Sequence, residues 1–329
     1  MCATLSKHSI KKIKMKKLII ILSFCSCFFT LKAENCQCNY IESGYYQDVY
    51  KADLELYKGN HEKAYQYLQS AEQKCKMINM LMYYEIDKYI PLLLEYNELQ
   101  KAVHYINFLI SEQGYQLENF EKLPHFEKLK TLNNWGDIYQ SLAEAEKTFV
   151  SDTALALEFQ AMQEKDQRYR GSPNYFDNFA EYGVLQKTLD DSNYNEIMSI
   201  IETKGFPLLS NMKLNMQHRG MIASATTLIL VHAATDSTKL VALDSVVLAH
   251  VAKGNWLPDF YGSMIDRNML QYGKPYIFGT YANAQTPEQI YNFENLDKRR
   301  MSVGLPPMSV AKERIELINE VMKDWTEIE

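Results

Sequence analysis

Apolar residues recur every three or four positions along most of this chain, the spacing that lines one face of an α-helix, and they seldom alternate singly as in a half-buried strand. From Gly44 to about Phe149 the pattern is helical throughout, with one interruption each at Pro91 and Pro124. The run "YKGNHEKAYQYLQSAEQ" breaks a helix at Gly59 and Asn60, then sets Ala64, Leu68 and Ala71 on one face of the next. A small residue on such a face lets two helices approach closely. Some 38 positions later Ala102, Ile106 and Ile110 take the same roles.

These helix pairs resemble tetratricopeptide repeats, whose usual period is about 34 residues. Two are fewer than the roughly three an independent solenoid needs. Either "WGDIYQSLAEAEKTF" supplies a further helix pair or the array docks on the C-terminal region. Such repeats carry no chemistry, so residues 44–149 are expected either to bind an envelope protein or peptide, or to pack on the rest of the chain.

Residues 150–329 read as a second helical domain, giving an all-α protein. "LALEFQAMQEKDQRYR" places Leu155, Phe159 and Met162 on one stripe that continues through Asp166 and Tyr169. A carboxylate buried there requires a cationic partner or a wet pocket. A helix is expected to end at Gly205 before Pro207. "MIASATTLILVHAA", 221–234, is apolar all round and reads as a central helix, with His232 on the inward stripe of Ala225 and Leu228. Further helices close at Gly254 and run from Pro258 to Gly273.

The last of these carries the most varied stretch of the chain, "MIDRNMLQYGKPYIFGTY", 264–281. Its second half predicts a short extended segment near 275–281, followed by a turn at Gly279 and Thr280. A helix terminus and a glycine turn beside Arg267 and Lys274 could hold a carboxylate or phosphate through backbone N–H groups. No strand feeds a glycine-rich loop into a helix, so this is no nucleotide fingerprint.

At the N-terminus, lysines from Lys11 to Lys17 precede the uncharged "LIIILSFCSCFF", and Ala33 offers a small residue before a cut. This is the pattern of a secretory signal peptide over residues 1–33, followed by a linker, 34–43. The apolar run falls short of the roughly 20 residues that span a bilayer. Export to the periplasm or outside is therefore expected, with a lipid anchor at Cys27, the alternative, as the sole membrane link. Cleavage would remove seven lysines and no acid from a chain already at −6, which excludes an electrostatic footprint for nucleic acid. Cys36, Cys38 and Cys75 would remain, so Cys36 or Cys38 is expected to pair with Cys75 in an oxidising compartment. "CQC" lacks partners at zinc spacing, and neither a metal nor a cofactor is expected.

Asp166-Gln167 with Arg170, "GFP" at 205–207, His232-Ala233, Asp266-Arg267, "GKPYIFGT" and "RRMSVGLPP" at 299–307 occur in that order. Together they resemble the bacterial domain-of-unknown-function family 6624, over residues 153–310. The resemblance implies motif positions and a fold but no reaction. Val231, Ala234, Tyr276 and Tyr281 depart from the polar residues of that family's pattern, which puts any family site in doubt here.

Two functions follow. The first is a binding or scaffold protein of the bacterial envelope. The second is a hydrolase or transferase acting on an anionic or carbonyl substrate, with His232, Asp166 or Asp266 as acid-base candidates. Arg170, Arg267, Lys274, Gly279 and Thr280 would then bind the ligand and stabilise charge. The absence of "GxSxG" and "HExxH" disfavours serine and zinc hydrolysis. The same charged residues could instead be partly buried pairs, Asp166 with Arg267 or Asp266 with Arg170, that hold helices in register.

Overall fold

In the computed structural model, α1 (Tyr45–Tyr57) turns back onto α2 (His61–Lys74) through a short connection in which Gly59 takes a positive φ and the Asn60 side chain accepts from Lys63 N. Residues 38–172, 175, 177–205, 214–281 and 286–326 are described. The expected signal peptide, the Cys27 anchor site, Cys36 and the Phe206–Pro207 pair lie outside them. Ala64, Leu68 and Ala71 are all buried, as their spacing requires, and α2 packs on α1.

Residues 75–84 depart from the expected continuous helix. They form an irregular connection that buries Met77, Met80 and Tyr83. Side chains here take the bonds a helix would make: Asn79 Oδ1 accepts from Ile86 N at 3.1 Å, and Glu85 Oε2 accepts from Met80 N at 2.7 Å. These extra residues account for the long spacing between the two helix pairs. The second pair is α3 (Glu85–Glu95) and α4 (Leu99–Gln113).

Pro91 lies inside α3 and does not interrupt it. The ring removes the hydrogen bond to the Asp87 carbonyl, a penalty of about 3 kcal/mol, which the burial of Ile86, Tyr89, Ile90, Leu92, Leu93 and Leu94 offsets. Pro124 does mark a break, between α5 (Leu117–Glu121) and a 3₁₀ turn at Phe126–Thr131. α6 (Trp135–Thr148) then packs on α4.

Among the described residues α7 (Thr153–Gln167), α8 (Phe179–Lys204), α9 (Met216–Ala233), α10 (Ser237–Ala252), α11 (Pro258–Gln271), α12 (Leu296–Met301) and α13 (Met308–Thr326) follow. Asp152, Asn215 and Asp236 cap α7, α9 and α10 through their side chains. α9, whose stretch from Met221 onward is largely apolar on every side, packs against α7, α8, α10 and α11, the central position that composition demands. The extended segment after α11 makes a single parallel bridge, Tyr276 to Ile290. Among the described residues the fold is all-α.

The described residues from Cys38 onward form one compact unit whose main apolar core runs across the expected boundary near residue 150, with a smaller cluster of Tyr276, Ile290 and Leu296 beside the bridge. α1 packs on α13. Tyr46 Oη donates to Val251 O at 2.7 Å, Gln47 Nε2 to Leu305 O at 2.8 Å, and Tyr83 Oη to Asp259 Oδ2 at 2.9 Å. Gly254, which closes α10 at φ 73°, leaves room for Tyr40; a Cβ there would lie 2.7 Å from that ring. A disulfide joins Cys38 to Cys75, with Cα atoms 5.7 Å apart, and fixes the start of the described chain to the end of α2.

Candidate functional site

Asp166 ends the buried stripe of α7 and is 1% exposed. Both its carboxylate oxygens lie 2.9 Å from His232 Nδ1, on the last turn of α9. Gln167 Nε2 donates to Oδ2 at 2.5 Å, and Arg170 Nη1 stands 3.3 Å from Oδ1. Of the two alternatives that the sequence left for a carboxylate buried here, the structure supplies the cationic partner, Arg170.

Arg170 does not pair with Asp266. Its Nη1 and Nη2 bind Asp190 Oδ1 and Oδ2 at 2.8 and 2.5 Å, a bidentate fork, while Nη1 also donates to Asp166 O at 2.7 Å. Burial would lower the Arg170 pKa, but the Asp190 hydrogen bond and the Asp166 charge outweigh it and raise it. Gln186, 1% exposed, completes the joint by donating to Asp166 O and Asp190 Oδ1 and accepting from Tyr169 N. Neither Gln186 nor Asp190 was among the sequence candidates. The signal was present: Gln186, Asp190 and Asn193 continue, at helical spacing, the buried stripe of Ile197 and Ile200.

This joint forms one wall of a cleft of about 660 Å³ between α8 and the ends of α9 and α11. His232, Arg170, Arg267, Lys239, Asp191 and Tyr272 are among its lining residues. Most of the charge is internally matched. Lys187 and Lys239 pair with Asp191, whose pKa burial would raise but the two lysines lower. Asp236 caps α10 by accepting from Thr238 N at 2.8 Å. Arg267 is different: no described carboxylate pairs with it, and its Nε is buried with no hydrogen-bond partner.

The remaining candidates lie elsewhere. Asp266 is 0% exposed, and its Oδ1 accepts from Ile277 N at 2.7 Å and Phe278 N at 2.9 Å. Oδ2 accepts from Thr280 N and Thr280 Oγ1, both at 2.8 Å. The anion held by this glycine turn is the chain's own Asp266 carboxylate, and Gly279, at φ 63°, shapes the loop around it. Lys274 is exposed, above the Tyr272 ring. Arg300 and Arg299 hold the same loop from behind through Phe278 O and Ile277 O.

Among the described residues no cluster of three or more His, Cys, Asp or Glu is placed to hold a metal ion, and no helix is long and apolar enough to cross a membrane. The chain matches no protein-family model, no curated protein and no solved structure.

Proposed function

We propose that this is an exported helical binding protein that takes a small monoanionic carboxylate in the cleft beside His232 and Arg267. One observation carries the reading: Arg267 lines an open cleft with no carboxylate of its own, while the other cations of that lining, Arg170, Lys187 and Lys239, are already paired. Among the described lining residues there are thus four cations, Arg170, Lys187, Lys239 and Arg267, against three carboxylates, Asp190, Asp191 and Asp236. A dianion would face Asp190, Asp191 and Asp236 with too little charge to offset them; a monoanion fits the balance. Of the residues in the motifs that resemble family 6624, Arg170, His232 and Arg267 line the cleft, and Asp166 holds His232 and Arg170 from behind.

The helix pairs of residues 44–149 act in this reading as a scaffold for the cleft-bearing half. An envelope partner would use the sides of α2 and α4 that the shared core leaves open.

A thermal-shift series with acetate, propionate, butyrate, succinate and phosphate tests the proposal. Monocarboxylates at about a hundred times their dissociation constant should stabilise the fold by about 2.7 kcal/mol, a rise of several degrees, and Arg267→Gln should remove that rise. A flat response to every carboxylate would overturn it.

A further inference from the structure

We infer that the cleft hydrolyses its ligand's precursor: His232 is the general base for a water molecule, and the substrate is a small neutral carboxylic ester whose product is the carboxylate that Arg267 retains. This deepens the binding reading and rests on it.

The argument begins with the imidazole. Asp166 presents both oxygens to Nδ1 at 2.9 Å, which places the proton on Nδ1 and leaves the lone pair on Nε2. Asp166 is itself fixed by Gln167 and Arg170, so the ring is held from behind by a group that cannot turn away. His232 lines the cleft with 16% of its side chain exposed, and no described group is bonded to Nε2. That is the disposition a proton acceptor requires: a buried carboxylate to stabilise the imidazolium, and a free nitrogen on the wet side.

The nucleophile must come from solution. No serine or cysteine is among the described lining residues, and the one threonine there, Thr235, turns its Oγ1 to His232 O at 2.7 Å. Water then attacks the ester carbon as His232 Nε2 takes its proton. A C–O bond forms, and the carbonyl electron pair moves to the oxygen, where Arg267 meets the single negative charge. Collapse breaks the ester C–O bond; His232 returns the proton to the departing alkoxide, and the acid product releases its own to solvent. Atoms and electrons balance without any oxidant or further reactant. The one-charge excess of the lining matches this oxyanion and the carboxylate product alike.

The test uses the full chain with p-nitrophenyl acetate and p-nitrophenyl butyrate, p-nitrophenyl phosphate as contrast, and the melting temperature of every variant. Turnover of the two esters should exceed that of heat-denatured protein. His232→Gln, whose amide can still donate to Asp166, should lower kcat/KM by at least about 100-fold while butyrate still stabilises it. Arg267→Gln should lose both turnover and butyrate stabilisation. Asp166 is a positioning residue: Asp166→Asn should lower kcat more than it changes KM and shift the acid limb of the pH profile. His61→Gln, on the exposed pair with Glu95, should change nothing. Full activity in His232→Gln, or preferential cleavage of the phosphate, would overturn the inference. So would a wild-type chain that butyrate stabilises but that cleaves neither ester, leaving binding alone; absence of stabilisation as well would remove the binding reading with it.

Discussion

His232 Nδ1 sits 2.9 Å from each oxygen of a carboxylate, Asp166, that solvent barely reaches. The contact joins α7 to α9, and His232 also lines the cleft, so the pair is a helix tie at the edge of the proposed site. His232→Ala removes one donor from a carboxylate that retains Gln167 and Arg170. Stability should fall by about 1–2 kcal/mol in urea unfolding, whereas Asp166→Ala, which strips partners from His232, Gln167 and Arg170 together, should fall further, by about 3 kcal/mol or more.

Glu85 gives the fold a pH dependence. It is 1% exposed, its Oε1 has no hydrogen-bond partner, and burial, above all, lifts its pKa from 4.5 to about 8. The folded state therefore holds the proton more tightly than the unfolded chain. The contribution is complete below pH 4.5 and is lost as pH rises through about 8. Denaturation at a series of pH values should show stability declining across that window by an amount on the order of a few kcal/mol, and Glu85→Gln should flatten the decline.

Asp266 is expected to be a second sensitive acid in the C-terminal half. Four N–H or O–H groups converge on it, three of them from the backbone of one loop. Asp266→Asn keeps the shape but turns an amide nitrogen toward those donors; a loss of about 2–4 kcal/mol and early proteolysis between Tyr276 and Thr280 should follow. A variant with wild-type stability would show that the loop is held by Arg299 and Arg300 alone.

The Cys38–Cys75 bridge closes a loop of sequence separation 37, which in the chain-entropy model is worth about 3–4 kcal/mol. Reduction, or Cys75→Ser, should lower the melting temperature markedly, while Cys36→Ser should not. Mass mapping of the oxidised protein that found Cys36 joined to Cys75 would reverse the assignment.

The variety of residues in 264–281 now has a physical explanation. Asp266 and Thr280 brace the loop, Gly279 shapes it, Lys274 stays in solvent, and Arg267 lines the cleft together with Gln271 and Tyr272. Spacing along α11 set Asp266 and Arg267 side by side, but neighbours on a helix point in different directions, so one became a strut and the other a cleft residue. The same limit applied at Pro91. A proline is a strong local signal for a break, yet tertiary burial of α3 outweighed it.

Period and local breakers determined the all-α character, the inward course of Asp166 and His232, the burial of the small residue Ala64, and the glycine ends of several helices, because each depends on residues within a turn or two of one another. Only the tertiary structure decided which charges pair. Arg170 meets Asp190 across twenty residues, and His232 meets Asp166 across sixty-six; the choice among several acids for each base is made by how helices cross, a long-range packing outcome that no local pattern records. The same holds for the continuity of the core across residue 150, where Tyr46, Gln47 and Tyr83 find partners more than 170 positions away.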